Sequence, residues 1–194
     1  SHEEVYTLVQ INSDEKRLDR ERSPLNIAIA LDRSGSMSGL PLDEAKLCIE
    51  MMIDRLSSED HFSLVTYDNN VDVVVPSTKA SNKEWLKAHV RSIRSGGMTA
   101  LYDGWSSAAT EAAKNVTKKS ISRVLLLSDG QANEGLTDQE EIASHCAQMA
   151  SVGVSTTTYG LSENFNENLM SAMAKSGKGM AHYGQTADDL ADPF

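Results

Sequence analysis

Aromatic residues make up only 5% of this 194-residue chain, and it has just two cysteines. A core must therefore come from Leu, Val, Ile, Ala and Met. The 40% hydrophobic content is enough to build one, which separates the chain from disordered sequences. Basic residues are in deficit: 18 Lys and Arg face 28 Asp and Glu, a net charge of −10. That balance disfavours a broad electrostatic grip on nucleic acid or on an anionic membrane, where cationic side chains must neutralise phosphates. An acidic field instead favours solubility and raises the local concentration of cations. No run is apolar and long enough to span a bilayer. Cys48 and Cys146 lie in helix-like stretches without the close spacing of a metal site. They read as buried free thiols, although a disulfide stays open.

No internal repeat or low-complexity tract is present, and the length suits one domain. No signal peptide opens the chain. It starts at Ser1-His2-Glu3 without Met and stops at Asp192-Pro193-Phe194, as expected of a piece cut from a longer protein. Cell-surface, periplasmic and cytoplasmic locations all stay open, and a monomer is the simplest state for such a piece.

Val5–Ile11 alternates and predicts an edge strand, followed by a charged loop up to Ser23, so residues 1–24 form a lead-in to a domain over 25–194. Leu25–Leu31 and Val124–Leu127 are nearly continuous apolar runs, as strands buried on both faces require. Further strands are predicted at Phe62–Tyr67, Val71–Val75 (ended by Pro76), Val154–Gly160 and Gly179–Tyr183. Helical periodicity covers Pro41–Leu56, Asn82–Ile93, Ala100–Val116, Gln139–Val152 and Phe165–Ser176, and a last helix opening at Thr186 is cut short. Trp85, Leu86, His89, Val90 and Ile93 form an apolar stripe, and both Trp85 and Trp105 are expected in the core. Strands alternating with helices, with one hairpin, predict an α/β protein with a mostly parallel sheet covered on both faces.

In such sheets ligands bind at the carboxyl ends of the strands. Asp32 closes the first central strand and opens Asp32-Arg33-Ser34-Gly35-Ser36. Asp129 follows the strand Ile121–Leu127, and Thr99 lies in Gly96-Gly97-Met98-Thr99. Three hydroxyls and two carboxylates supply five oxygens to a hard cation, directly or through water. This donor set suits octahedral Mg²⁺, with Mn²⁺ or Ca²⁺ also accommodated, and is unlike a structural zinc site. Two acids leave such an ion under-neutralised, so a sixth position stays open to an external carboxylate. Asp103, on the helix after Thr99, is either a support for this site or a plain capping acid. The loops Tyr67–Asn70 and Gln131–Glu134 either rim the binding surface or are plain turns. The five histidines are scattered and read as surface or packing residues.

The series Asp32-x-Ser34-x-Ser36, then Thr99, then Asp129 resembles the metal-ion-dependent adhesion site of von Willebrand factor type A (VWA) domains, the class that includes integrin I domains. The resemblance covers Leu25 to about Leu190. It implies a doubly wound, Rossmann-like sheet, mostly parallel with one antiparallel edge strand and helices on both faces, and a metal at its top. It also implies direct ligation by Ser34, Ser36 and Thr99, water-mediated support from Asp32 and Asp129, and a protein partner that supplies a Glu or Asp. Arg33 and Met37 are similar to residues of bacterial members. The function implied is metal-dependent protein binding, as in cell adhesion, with no catalytic residue and no direct contact with membrane or nucleic acid. Two alternatives stand beside it: a metal-dependent hydrolase, for which no general base or nucleophile pair is visible, and a regulatory subunit of an ATPase complex.

Overall fold

The computed structural model describes residues 22–129, 132–161, 165–184 and 186–191. The expected edge strand Val5–Ile11 lies outside them. Among the described residues six strands form one sheet: β1 (Leu25–Asp32), β2 (His61–Tyr67), β3 (Val71–Lys79), β4 (Ile121–Ser128), β5 (Val154–Gly160) and β6 (Ala181–Tyr183). Their order is β3-β2-β1-β4-β5-β6. Every pairing is parallel except β2 with β3. The chain winds outward from β1 in one direction and from β4 in the other. The switch point therefore falls between β1 and β4, whose carboxyl ends carry Asp32 and Asp129.

Between the strands lie α1 (Leu40–Arg55), α2 (Lys83–Ser92), α3 (Leu101–Ala113), α4 (Gln139–Ser151), α5 (Glu167–Ser176) and α6 (Ala187–Ala191), with a short 3₁₀ turn at Gly35–Met37. The side-chain period of two sorts β1 between the faces. Ile27, Ile29 and Leu31 meet α1 and α2 in one cluster with Leu42, Ile49, Met52, Leu86 and Val90. Ala28 and Ala30 meet α3 in the other, with Trp105, Ala108, Ala109 and Ala112. Small residues on both sides let α3 lie close against the sheet. Asn26 Nδ2 then fastens its end by donating to the Ala112 carbonyl at 2.6 Å and to Ser122 Oγ at 3.0 Å. Each large aliphatic side chain buried in these layers contributes about 1.5–3 kcal/mol.

The helix starts follow local chemistry. Asn82, Asp138 and Asn166 each accept a hydrogen bond from an N–H in the first turn of α2, α4 and α5. Three expectations are corrected. The return strand β3 does not stop at Pro76 but runs to Lys79, because β3 is a sheet edge and a missing N–H can face away from the ladder. Trp85 is 44% exposed rather than in the core. Leu86, Val90 and Ile93 take the inward stripe of α2, and Trp85 packs on His89 with ring centroids 4.2 Å apart. The helix α3 is shorter than its periodicity, ending at Ala113. Cys48 and Cys146 are both buried and unbridged, and burial pushes each thiol up to about 12.

Candidate functional site

Asp32 is the last residue of β1, fully buried. Its carboxylate is oriented at both oxygens. Oδ1 accepts the Ser34 N–H at 2.8 Å, and Oδ2 accepts the Ser128 hydroxyl at 2.6 Å. Ser34 is also buried, whereas Ser36 is exposed, and their hydroxyl oxygens stand 3.1 Å apart. Two adjacent hydroxyl oxygens above an oriented carboxylate form a cluster of hard donors that faces outward at Ser36.

Backbone hydrogen bonds stitch three loops together here. The Gly35 N–H donates to the Gly97 carbonyl at 2.9 Å, and the Gly96 N–H to the Arg33 carbonyl at 2.8 Å. These bring the loop of Thr99 against that of Ser34 and Ser36. The Thr99 N–H donates to Asn133 Oδ1 at 2.9 Å, and the Asn133 N–H returns to the Thr99 carbonyl at 3.2 Å. That pair joins Thr99 to the loop that follows Asp129. Thr99 and Asp129 are buried. Gly97 is in the left-handed region at φ +80°, and a Cβ there would meet Asn69 Oδ1 at 2.6 Å, so the loop needs glycine to pass.

The loop Tyr67–Asn70, expected as a rim or a plain turn, is a clamp. Asn69 Oδ1 accepts the Met98 N–H at 2.9 Å, and the Asp68 carbonyl accepts the Ala100 N–H at 2.9 Å. Asp68 and Asp72 also hold Arg33, at 3.1 and 2.7 Å. Asn133, in the second such loop, has the same clamping role. Ser128 was missed from the sequence, where it reads only as the end of an apolar strand. Asp103 is exposed in the first turn of α3, where an acid suits the helix N-terminus, and among the described residues no hydrogen bond or ion pair ties it to the cluster. Among the described residues no histidine enters the site.

The electrostatics match the donor set. Burial pushes the Asp32 carboxyl up to about 6, and the nearby Asp129 charge adds to the rise, while hydrogen bonds from Ser128 and Ser34 oppose it. The groups bonded to Asp32 are neutral N–H and O–H donors, and the second buried acid, Asp129, lies nearby. All five groups offer oxygen, and a divalent cation fits this chemistry.

A family model, von Willebrand factor type A domain, matches residues 26–193. The chain belongs to that family. Relatives of this VWA domain include the uncharacterized protein YfbK of Escherichia coli, 30% identical over 191 residues that cover 96% of this chain. The chain spans only 33% of YfbK and 40% of a Synechocystis relative. Among solved structures, a von Willebrand factor type A protein from Catenulispora acidiphila superposes with a TM-score of 0.75 at 19% identity, over 89% of this chain and 41% of that one. Proximal thread matrix protein 1 of the mussel byssus, in a form with a zinc-occupied MIDAS motif, superposes at 0.67 and 17% identity over 88% of this chain and 46% of that one. At these identities the likeness is one of fold.

Proposed function

We propose that this VWA domain is a metal-dependent protein-binding module that grips an acidic residue of its partner through a divalent cation. The observation that carries the reading is the cluster at the β1–β4 switch point. Asp32, Ser34, Ser36, Thr99 and Asp129 offer only oxygen, and three loops tied by main-chain hydrogen bonds hold them at one edge of the sheet. Ser34, Ser36 and Thr99 would hold the ion, with Asp32 and Asp129 as its counter-charges. When bound, the ion supplies a Lewis-acidic position for a partner carboxylate. The protein's part is to keep the hydroxyls and carboxylates preorganised for the ion. Specificity then belongs to the surrounding loops. The binding unit is residues 25–194, with 1–24 as a lead-in.

Mg²⁺ is the ion proposed, because compact hydroxyl donors suit a small octahedral cation. The zinc in the mussel protein's motif makes Zn²⁺ a necessary comparison. The test is calorimetric titration of chelator-treated protein with Mg²⁺, Mn²⁺, Ca²⁺ and Zn²⁺, beside Asp129→Ala. One ion bound per chain in the wild type and none in the variant supports the reading. A wild type that binds no ion, with or without added acetate to complete the coordination, overturns it.

A further inference from the structure

A buried hydroxyl beneath the site has no role in the ligand set. Tyr67 closes β2 and pairs in register with Asp32 of β1. Its ring lies on the α3 face of the sheet, fully buried, and α3 makes room for it with Gly104. A Cβ at that position would lie 2.1 Å from a ring carbon. The hydroxyl stands next to Ser128 but makes no well-formed hydrogen bond. Such a group costs about 1–3 kcal/mol when left unsatisfied in the interior, so its retention calls for a use.

Ser128 has one proton, and it goes to Asp32 Oδ2. That leaves only lone pairs on Ser128 Oγ toward the phenol. The order of donors is then fixed: a bond from the Tyr67 O–H can go only to a lone pair of Ser128 Oγ, while the Ser128 O–H goes to the Asp32 carboxylate. A hydrogen bond made to a donor strengthens the bond that donor makes in turn. A phenylalanine would fill the same space and cost nothing in packing, so the hydroxyl is the part to explain.

We propose that Tyr67 is a positioning residue for the cation site: its hydroxyl, acting through Ser128, holds the Asp32 carboxylate oriented for the ion. This rests on the metal-binding reading above. Tyr67 touches no ion itself. It acts from below, while the Ser34 N–H fixes the other carboxylate oxygen from the loop side.

The experiment is Mg²⁺ titration of wild type, Tyr67→Phe, Ser128→Ala and the double variant, with the melting temperature of each measured in chelator. Tyr67→Phe is expected to weaken Mg²⁺ binding by up to about tenfold, the upper end for one hydrogen bond between neutral groups. Its melting temperature in chelator should stay level or rise, since an unsatisfied buried hydroxyl has gone. The double variant should bind no more weakly than Ser128→Ala alone, because both changes cut one chain. Wild-type affinity in Tyr67→Phe, or losses that simply add, overturns the relay and leaves the metal site standing. No Mg²⁺ binding by the wild type overturns both readings. Should Tyr67→Phe fail to fold, Ser128→Ala decides: unchanged affinity there refutes the relay.

Discussion

Replacing Asp60 by Asn should lower stability at neutral pH and remove much of the protein's sensitivity to acid. Asp60 is buried in the turn before β2, at the end of the sheet opposite the candidate site. Its carboxylate accepts the Leu25 N–H at 2.8 Å, the Ser57 N–H at 2.6 Å and Arg22 Nη1 at 3.0 Å, with a second contact from Arg22 Nη2. It thus ties the start of β1 to the turn after α1. Burial alone would raise this carboxyl, but the Arg22 guanidinium and the two N–H donors outweigh it and hold the group at about 2, below its ordinary 3.8. A carboxyl depressed in the folded state stabilises the fold above its unfolded value and loses that contribution as pH falls toward the folded one. The window is therefore about pH 4 down to 2. At about 1.4 kcal/mol per pH unit, the depression corresponds to about 2 kcal/mol. That figure is an upper bound, because the Arg22 side chain is half exposed and its attraction is screened.

Asp60→Asn keeps the shape but removes the charge and sets an NH₂ among donors. Urea unfolding followed by circular dichroism, at steps from pH 7 to 2.5, reads the difference between wild type and variant. The charge contribution to the gap should be at most about 2 kcal/mol at pH 7, and the gap should narrow below pH 4. Asp32, displaced upward, has the opposite sign, but it is common to both proteins and cancels in the difference. A gap that stays constant over the whole range would refute the argument, since it would mean the carboxyl titrates alike in the folded and unfolded chains.

Two further substitutions probe the layers above. Gly104→Ala improves the helix propensity of α3 by about 1 kcal/mol, yet its methyl collides with the Tyr67 ring, and overpacking of this kind costs about 1–3 kcal/mol. A lower melting temperature is expected, and a higher one would contradict the close approach of α3 to β2. Asn133→Ala removes the acceptor for the Thr99 N–H. It should cost about 1 kcal/mol of stability but weaken Mg²⁺ binding several-fold by loosening Thr99, so equal affinity in calorimetry would show that the clamp does not position that residue.

What the sequence determined was set by local rules. The apolar runs Leu25–Leu31 and Val124–Leu127 could only be strands buried on both faces. The stripe Leu42, Ala45, Ile49, Met52 and Ile53 could only be the inward side of a helix. Asp32, Ser34 and Ser36 needed no partner to be seen, because they are near neighbours along the chain. Tertiary structure decided whatever depended on elements distant in sequence. Pro76 sits within a strand because β3 turned out to be an edge. Trp85 is exposed because Leu86, Val90 and Ile93 sufficed to fill the space beneath α2. Asn69 and Asn133 look like any turn asparagines, and their hydrogen bonds to Met98 and Thr99 cross 29 and 34 residues. Tyr67 and Gly104 are complementary only because β2 and α3 pack face to face. Periodicity reports which face of an element is buried, whereas the partner buried against it is chosen by how the elements stack. That is why the candidate oxygen donors could be named from the chain alone, whereas the residues that brace their loops could not.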